Sequence, residues 1–188
     1  MSTCLVVIDL QHGFCSPEGS AARAGMAMWR MDDVVAEQRL LLAEARRAGV
    51  PVVFTRYGWH PNGVDVDPAI EAAFGAGSFR WGTPDTEIVP GLVEPGDTVV
   101  DKPRFDCFLY TELDLVLRRL GAERLLLTGV ATNGCVETTA RTATQLGYRV
   151  VVAEDATSAL EDRHLAGLAS IDGPFGAVLP WRSVMDGR

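Results

Sequence analysis

Three residues of this chain are of types that together can run a nucleophilic reaction: Cys135 to attack, Asp9 to move its proton, and Lys102 to balance charge. Cys135 lies in the stretch TGVATNGCVE, Thr128 to Glu137, behind the apolar run Leu125, Leu126 and Leu127. After it, Val136, Ala140, Ala143 and Gly147 recur at helical spacing, which puts the cysteine in the first turn of a helix that follows a buried strand. A helix start carries partial positive charge and free N–H groups, and a nearby ammonium adds to it; both favour thiolate over thiol. The expectation is therefore an ionised sulfur facing an open cavity, with Asp9 as its proton shuttle.

Taken singly, each residue also has an ordinary reading. Cysteine is among the residue types most often buried as packing, an aspartate can cap a turn, and a lysine is usually solvated. Their places in the chain favour the chemical reading. Asp9 directly follows the apolar run Leu5 to Ile8, Lys102 follows Thr98 to Val100, and an unpaired charge beside either run is costly to bury.

The elements that would position them alternate. From Asp32 or Asp33, a plausible N-cap, a helix carries Val34, Val35, Leu41, Leu42 and Ala45 on one side and stops at Gly49; Pro51 then opens the strand VVFT. Thr111 with Asp114 resembles a capping box ahead of the stripe Leu113, Val116, Leu117 and Leu120, which Gly121 ends. The strands RLLLT, RVVVA from Arg149 to Ala153, and GAVL from Gly176 complete the series. Such alternation predicts an α/β fold: a parallel sheet with helices on both faces, whose ligands bind outside the carboxyl ends of the strands. Residues 57 to 95 interrupt the pattern as a Gly- and Pro-rich aromatic insertion in which only DPAIEAAF reads as helical. It is the candidate binding loop of a single domain spanning 1–188.

Composition narrows the partner. The net charge of −8 argues against nucleic acid or an anionic membrane and leaves a small molecule. No apolar run is long enough to span a bilayer and the start MSTCLVVIDL is unlike a signal peptide, so the expected location is the cytoplasm. The four cysteines, Cys4, Cys15, Cys107 and Cys135, lack metal-site spacing and are expected as reduced thiols.

The stretches VVIDLQHGF, VVDKPRFDCFLYTELDLVLRRLG and LLLTGVATNGCVETTARTATQLGYRVVVAEDAT resemble, in order, the isochorismatase-like cysteine hydrolases, a superfamily that includes amidohydrolases of carbamoyl and ureido compounds and the nicotinamidases. The resemblance implies a three-layer αβα sandwich on a six-stranded parallel sheet, and a catalytic triad at Asp9, Lys102 and Cys135. It also implies a cis peptide before Ala131 and an oxyanion hole formed by the N–H groups of Ala131 and Cys135. The function expected from it is hydrolysis of a C–N bond in a small linear amide, carbamoyl or ureido compound through a thioester, by a homodimer or homotetramer.

Two alternatives stand beside that function. One is vinyl ether cleavage of the isochorismatase type, which needs no thiol; the other is a non-catalytic binding protein on the same fold. No cofactor and no metal are expected, because the nicotinamidases' Asp-x-His pair is here Gly58, Trp59 and His60. Candidates for substrate binding are Gln11, Phe14, Trp59, Trp81 and Phe105, with Arg104 a possible partner for a substrate carboxylate. Aspartate and cysteine at 106 and 107 depart from the Ser-Ala of many relatives, and Cys107 and Cys15 read as structural or peripheral.

Overall fold

The computed structural model describes residues 2–186. Its six strands are β1 (Thr3–Ile8), β2 (Val52–Tyr57), β3 (Thr98–Lys102), β4 (Arg124–Val130), β5 (Arg149–Ser158) and β6 (Ala177–Leu179). They form one sheet in the order β3-β2-β1-β4-β5-β6, with every neighbouring pair parallel. Around it lie α1 (His12–Cys15), α2 (Ser20–Arg23), α3 (Met31–Arg47), α4 (Pro68–Phe74), α5 (Leu113–Arg119), α6 (Glu137–Gln145), α7 (Glu161–Ile171) and α8 (Trp181–Asp186). No helix among the described residues is long and apolar enough to cross a membrane.

The two-residue period of β1 builds both cores. Leu5 and Val7 pack with Phe54 of β2 and with Leu41, Leu42 and Ala45 of α3. Cys4, Val6 and Ile8 face the other way, onto Leu113 and Leu117 of α5 and Ala140 and Ala143 of α6. A strand buried on both faces reads as an unbroken apolar run, and the sheet sits between two helical layers as expected. The chain winds outward from β1 to β3 on one side and from β4 to β6 on the other, so β1 and β4 flank the point where strand order reverses.

Several local expectations fail for identifiable reasons. α3 begins at Met31 without a side-chain cap, because Arg30 is left-handed at φ 50° and takes the Asp33 carboxylate at 2.8 Å. Only half of the capping box forms at α5: Thr111 Oγ1 accepts from the Leu113 N–H at 3.2 Å while donating to the Cys107 carbonyl at 2.6 Å, but Asp114 turns away to Arg118 at 2.8 Å and the Tyr148 hydroxyl at 2.7 Å. β5 runs five residues past Ala153 to Ser158, through Glu154 and Asp155, where apolar patterning stops. α7 carries no apolar stripe in sequence because its buried side includes His164 and Gly167 beside Leu168 and Ile171. In the insertion, α4 starts as its residues suggest, with Asp67 accepting from the N–H groups of Ala69 and Ile70 ahead of Pro68.

Candidate active site

Asp9 leaves β1 in the left-handed conformation, φ 53°, which aspartate tolerates better than most residues. Its N–H reaches the Thr55 carbonyl at 3.3 Å, and its side chain is fully buried over the end of the sheet. Beside it, Gly129 of β4 has φ 100°, and a Cβ there would stand 1.9 Å from the Ile8 carbonyl oxygen, so only glycine lets β4 lie this close to the strand that ends at Asp9.

Lys102 ends β3, the outermost strand on its side, and its side chain crosses the end of β2 to reach the centre of the sheet. On the way its ammonium lies 4.9 Å from the centre of the Tyr57 ring. Nζ stands 2.7 Å from Asp9 Oδ2 and 3.4 Å from Cys135 Sγ, and donates to the carbonyls of Arg104 at 3.0 Å and Phe105 at 3.2 Å. The Nζ to Oδ2 approach is an ion pair that lies off hydrogen-bond alignment, which leaves that carboxylate oxygen lone pairs for another donor. Thr55 Oγ1 occupies the other oxygen, donating to Oδ1 at 2.7 Å.

Cys135 sits in a π-helical turn, Thr132–Val136, between β4 and α6, and the Val130–Ala131 peptide that precedes the turn is cis. The turn is braced from behind by α7: His164 Nδ1 lies 2.8 Å from Thr132 Oγ1, and Gly167 passes so close to Asn133 that a Cβ would be 3.0 Å from its backbone. Burial pushes the Cys135 thiol well above its ordinary 9.0; Lys102 pulls it down, but Asp9 and Cys107 add to the rise. Burial also opposes the charge of Lys102, yet Asp9, Cys135 and Cys107 together hold its ammonium above the usual range. The resting state is therefore a carboxylate-ammonium pair beside a neutral thiol, which corrects the expected resting thiolate. The ammonium does act in the expected direction, but a cysteine only 4% exposed has lost the water that would carry its charge.

A cavity of about 330 Å³ opens above the sulfur. Ala131, Asn133, Gly134, Cys135 and Thr138 form its floor; Phe14, Phe74, Phe105, Ile70, Met26 and Met28 supply apolar walls; Leu160 and Arg163 stand at the α7 side. Phe14 packs on Phe79 at 4.4 Å and Phe79 on Phe74 at 5.1 Å, so one wall is the edge of an aromatic cluster that docks the insertion onto the strand ends. Asp9 and Lys102 are wholly buried beneath the cysteine and do not border this cavity.

Of the sequence candidates for substrate binding, Phe14 and Phe105 line the cavity and three do not. Gln11 spends its amide on Tyr57, accepting from its N–H at 2.6 Å and donating to its carbonyl at 2.9 Å, and so ties the loop after β1 to the end of β2. Trp59 is fully buried with its indole N–H on the Pro103 carbonyl at 3.1 Å, and Trp81 covers Gly58 with Arg56 5.4 Å from its ring. Both tryptophans hold the insertion together. Arg104 is likewise engaged, by the carbonyls of Asp65 at 2.9 Å and Pro103 at 2.8 Å. His60 bonds Asn62 Oδ1 at 2.8 Å, and among the described residues no group of three His, Cys, Asp or Glu is placed to hold a metal ion. Thr55, Asn133, Thr138, Met26, Met28 and Arg163 escaped sequence reading, having no spacing that distinguishes them from strand, helix or loop residues.

A family model described as Isochorismatase domain matches residues 3–183. The ureidoacrylate amidohydrolase RutB of Methylobacterium radiotolerans is 37% identical over 202 residues, covering 94% of this chain and 76% of the relative. The protein of the same name from Pseudomonas syringae pv. syringae is 35% identical, covering 98% and 81%. A crystal structure of a cysteine hydrolase from Pseudomonas syringae pv. phaseolicola superposes with a TM-score of 0.89 at 28% identity, covering 98% of this chain and 91% of that one. An isochorismatase family protein from Desulfovibrio vulgaris gives 0.86 at 32%, covering 99% and 97%. The chain belongs to the isochorismatase family.

Proposed function

We propose that the chain is a cysteine-dependent amidohydrolase that cleaves a C–N bond in a small amide, carbamoyl or ureido compound. The observation that carries this reading is the placement of Lys102 Nζ, 2.7 Å from the Asp9 carboxylate and 3.4 Å from a sulfur that forms the floor of a cavity. The similarity to ureidoacrylate amidohydrolases supports the choice of bond and of a ureido-type substrate.

In this mechanism the thiol gives its proton to Asp9 as sulfur attacks the substrate carbonyl carbon, and the carbonyl oxygen takes up the negative charge. The N–H groups of Ala131 and Cys135, in the turn beneath the cavity, receive that oxyanion. Asp9 then passes the proton to the leaving nitrogen, the C–N bond breaks, and a thioester remains. Water, giving a proton to Asp9, adds to the thioester and releases the acid with the thiol restored. Lys102 keeps a positive charge beside both partners throughout, so neither the thiolate nor the carboxylate is stranded in a dry site.

The test is ammonia release across a panel of carbamoyl, ureido and simple amides. At least one ureido compound should turn over, and Cys135→Ala and Asp9→Asn should each lower kcat by about 10³-fold or more while melting as folded proteins. Turnover surviving in either variant sinks the assignment.

A further inference from the structure

Asp9 has two oxygens in different surroundings. Oδ2 faces Lys102, and Oδ1 accepts from Thr55 Oγ1 at 2.7 Å. Thr55 lies on β2, pairs in register with Ile8 and is 1% exposed, so no water competes for its hydroxyl. An ionised carboxylate is acceptor-only, so the single hydroxyl proton must point at Asp9 and the oxygen's lone pairs point elsewhere.

What they meet is Cys107, whose sulfur lies 3.8 Å from Thr55 Oγ1. Burial pushes that thiol up to about 11, with the Lys102 charge pulling it down only in part, so at neutral pH it is an S–H donor. Its position is set by the Cys107 N–H on Thr139 Oγ1 at 3.1 Å, and Thr139 belongs to α6, the helix that begins two residues after Cys135. The direction of donation is therefore defined from end to end: Cys107 S–H to Thr55, Thr55 O–H to Asp9 Oδ1.

We propose that Thr55 is the positioning residue of Asp9, and that Cys107 orients the Thr55 hydroxyl. This rests on Asp9 being the base. Holding a donor against Oδ1 fixes the rotation of the carboxyl group and occupies that oxygen, so the proton taken from Cys135 lands on Oδ2. It can leave for the substrate nitrogen only from there. Without the hydroxyl, the proton can settle on either oxygen, and Oδ1 lies against β2 instead of beside Lys102.

The test compares Thr55→Val, which keeps the shape of the side chain and removes the donor, with Thr55→Ser, which keeps the donor. On a ureido substrate turned over by the unaltered chain, kcat for Thr55→Val should fall about 10- to 100-fold, the loss expected for a hydrogen bond to a charged group, with KM within about twofold. Thr55→Ser should hold kcat within about threefold of the starting enzyme. If Thr55→Val does not fold, Thr55→Ala against Thr55→Ser makes the same comparison. Cys107→Ala should lower kcat about two- to threefold, as befits a weak donor; an unchanged kcat removes Cys107 from the proposal. Equal losses in the valine and serine variants, or full kcat in the valine variant, overturn the role of Thr55. If Asp9→Asn still turns over, the base itself is wrong, a result distinct from Thr55 failing while Asp9→Asn is dead.

Discussion

Lys102 keeps an ammonium at 0% exposure, and it does so because four groups converge on it: one carboxylate, one sulfur and two carbonyls. Removing one charge of such a pair leaves the other without compensation. The two removals are unequal, since Lys102 without Asp9 still has two carbonyls to donate to, whereas Asp9 without Lys102 keeps only the neutral Thr55 hydroxyl and Cys135 thiol beside it. Lys102→Met should therefore cost about 3–5 kcal/mol of stability, measured by urea unfolding, and more than Asp9→Asn. The double variant should recover part of the loss. A Lys102→Met protein as stable as its parent would show that the pair is not buried as described. All three residues were legible in sequence because each ends or follows an apolar strand. Thr55 was not, since a threonine within a strand is what β propensity alone would supply. The thiol's protonation state was misjudged because sequence shows which charges are near a sulfur and not how much water it has lost.

The elements that follow an apolar period were legible: β1, the helices α3, α5 and α6, and the strand that leads to Cys135. Those built on polar or small residues were not, and α7 is the consequential one because it braces the nucleophile's turn through His164 and Gly167. Burial holds His164 below its ordinary 6.5, favouring neutral imidazole in the fold. As pH falls, the unfolded chain takes up a proton at this residue before the folded chain does. Its contribution to stability is thus complete above 6.5 and is lost as pH drops through the lowered value. Urea midpoints should decline between pH 7 and about pH 5, and His164→Gln should show a shallower decline. An identical slope in the variant would remove His164 as a source of the acid sensitivity.

At the scale of the whole molecule, Cys4 and Cys107 are buried in the core on the α5 and α6 side of the sheet, and half-buried Cys15 packs against the other core. Burial pushes Cys4 and Cys15 up to about 12 and Cys107 to about 11, from 9.0. A raised value means that the fold prefers S–H, so these groups contribute fully below 9.0 and lose that contribution as pH climbs toward 11 and beyond. The urea midpoint should fall over that range, and Cys4→Ala should fall less; a flat alkaline profile in the parent would contradict the burial of its thiols. The parallel sheet between helical layers was readable from alternation, and its six strands from resemblance, but the order in which they lie was not. The architecture of the insertion was not, because its form comes from aromatic rings meeting across distant segments instead of from any period along the chain. That is also why two tryptophans looked like pocket walls and turned out to be its mortar.

The ammonium at the heart of the molecule is tethered to the sheet's outer border, and one strand separates that border strand from the strand that ends at the carboxylate it serves. Peeling that border strand away would disarm the cysteine while most of both cores stayed packed. Heat or denaturant should accordingly silence the chain before it melts, and anything that seals that margin, from a ligand to a neighbouring molecule, would protect activity more than it protects the fold.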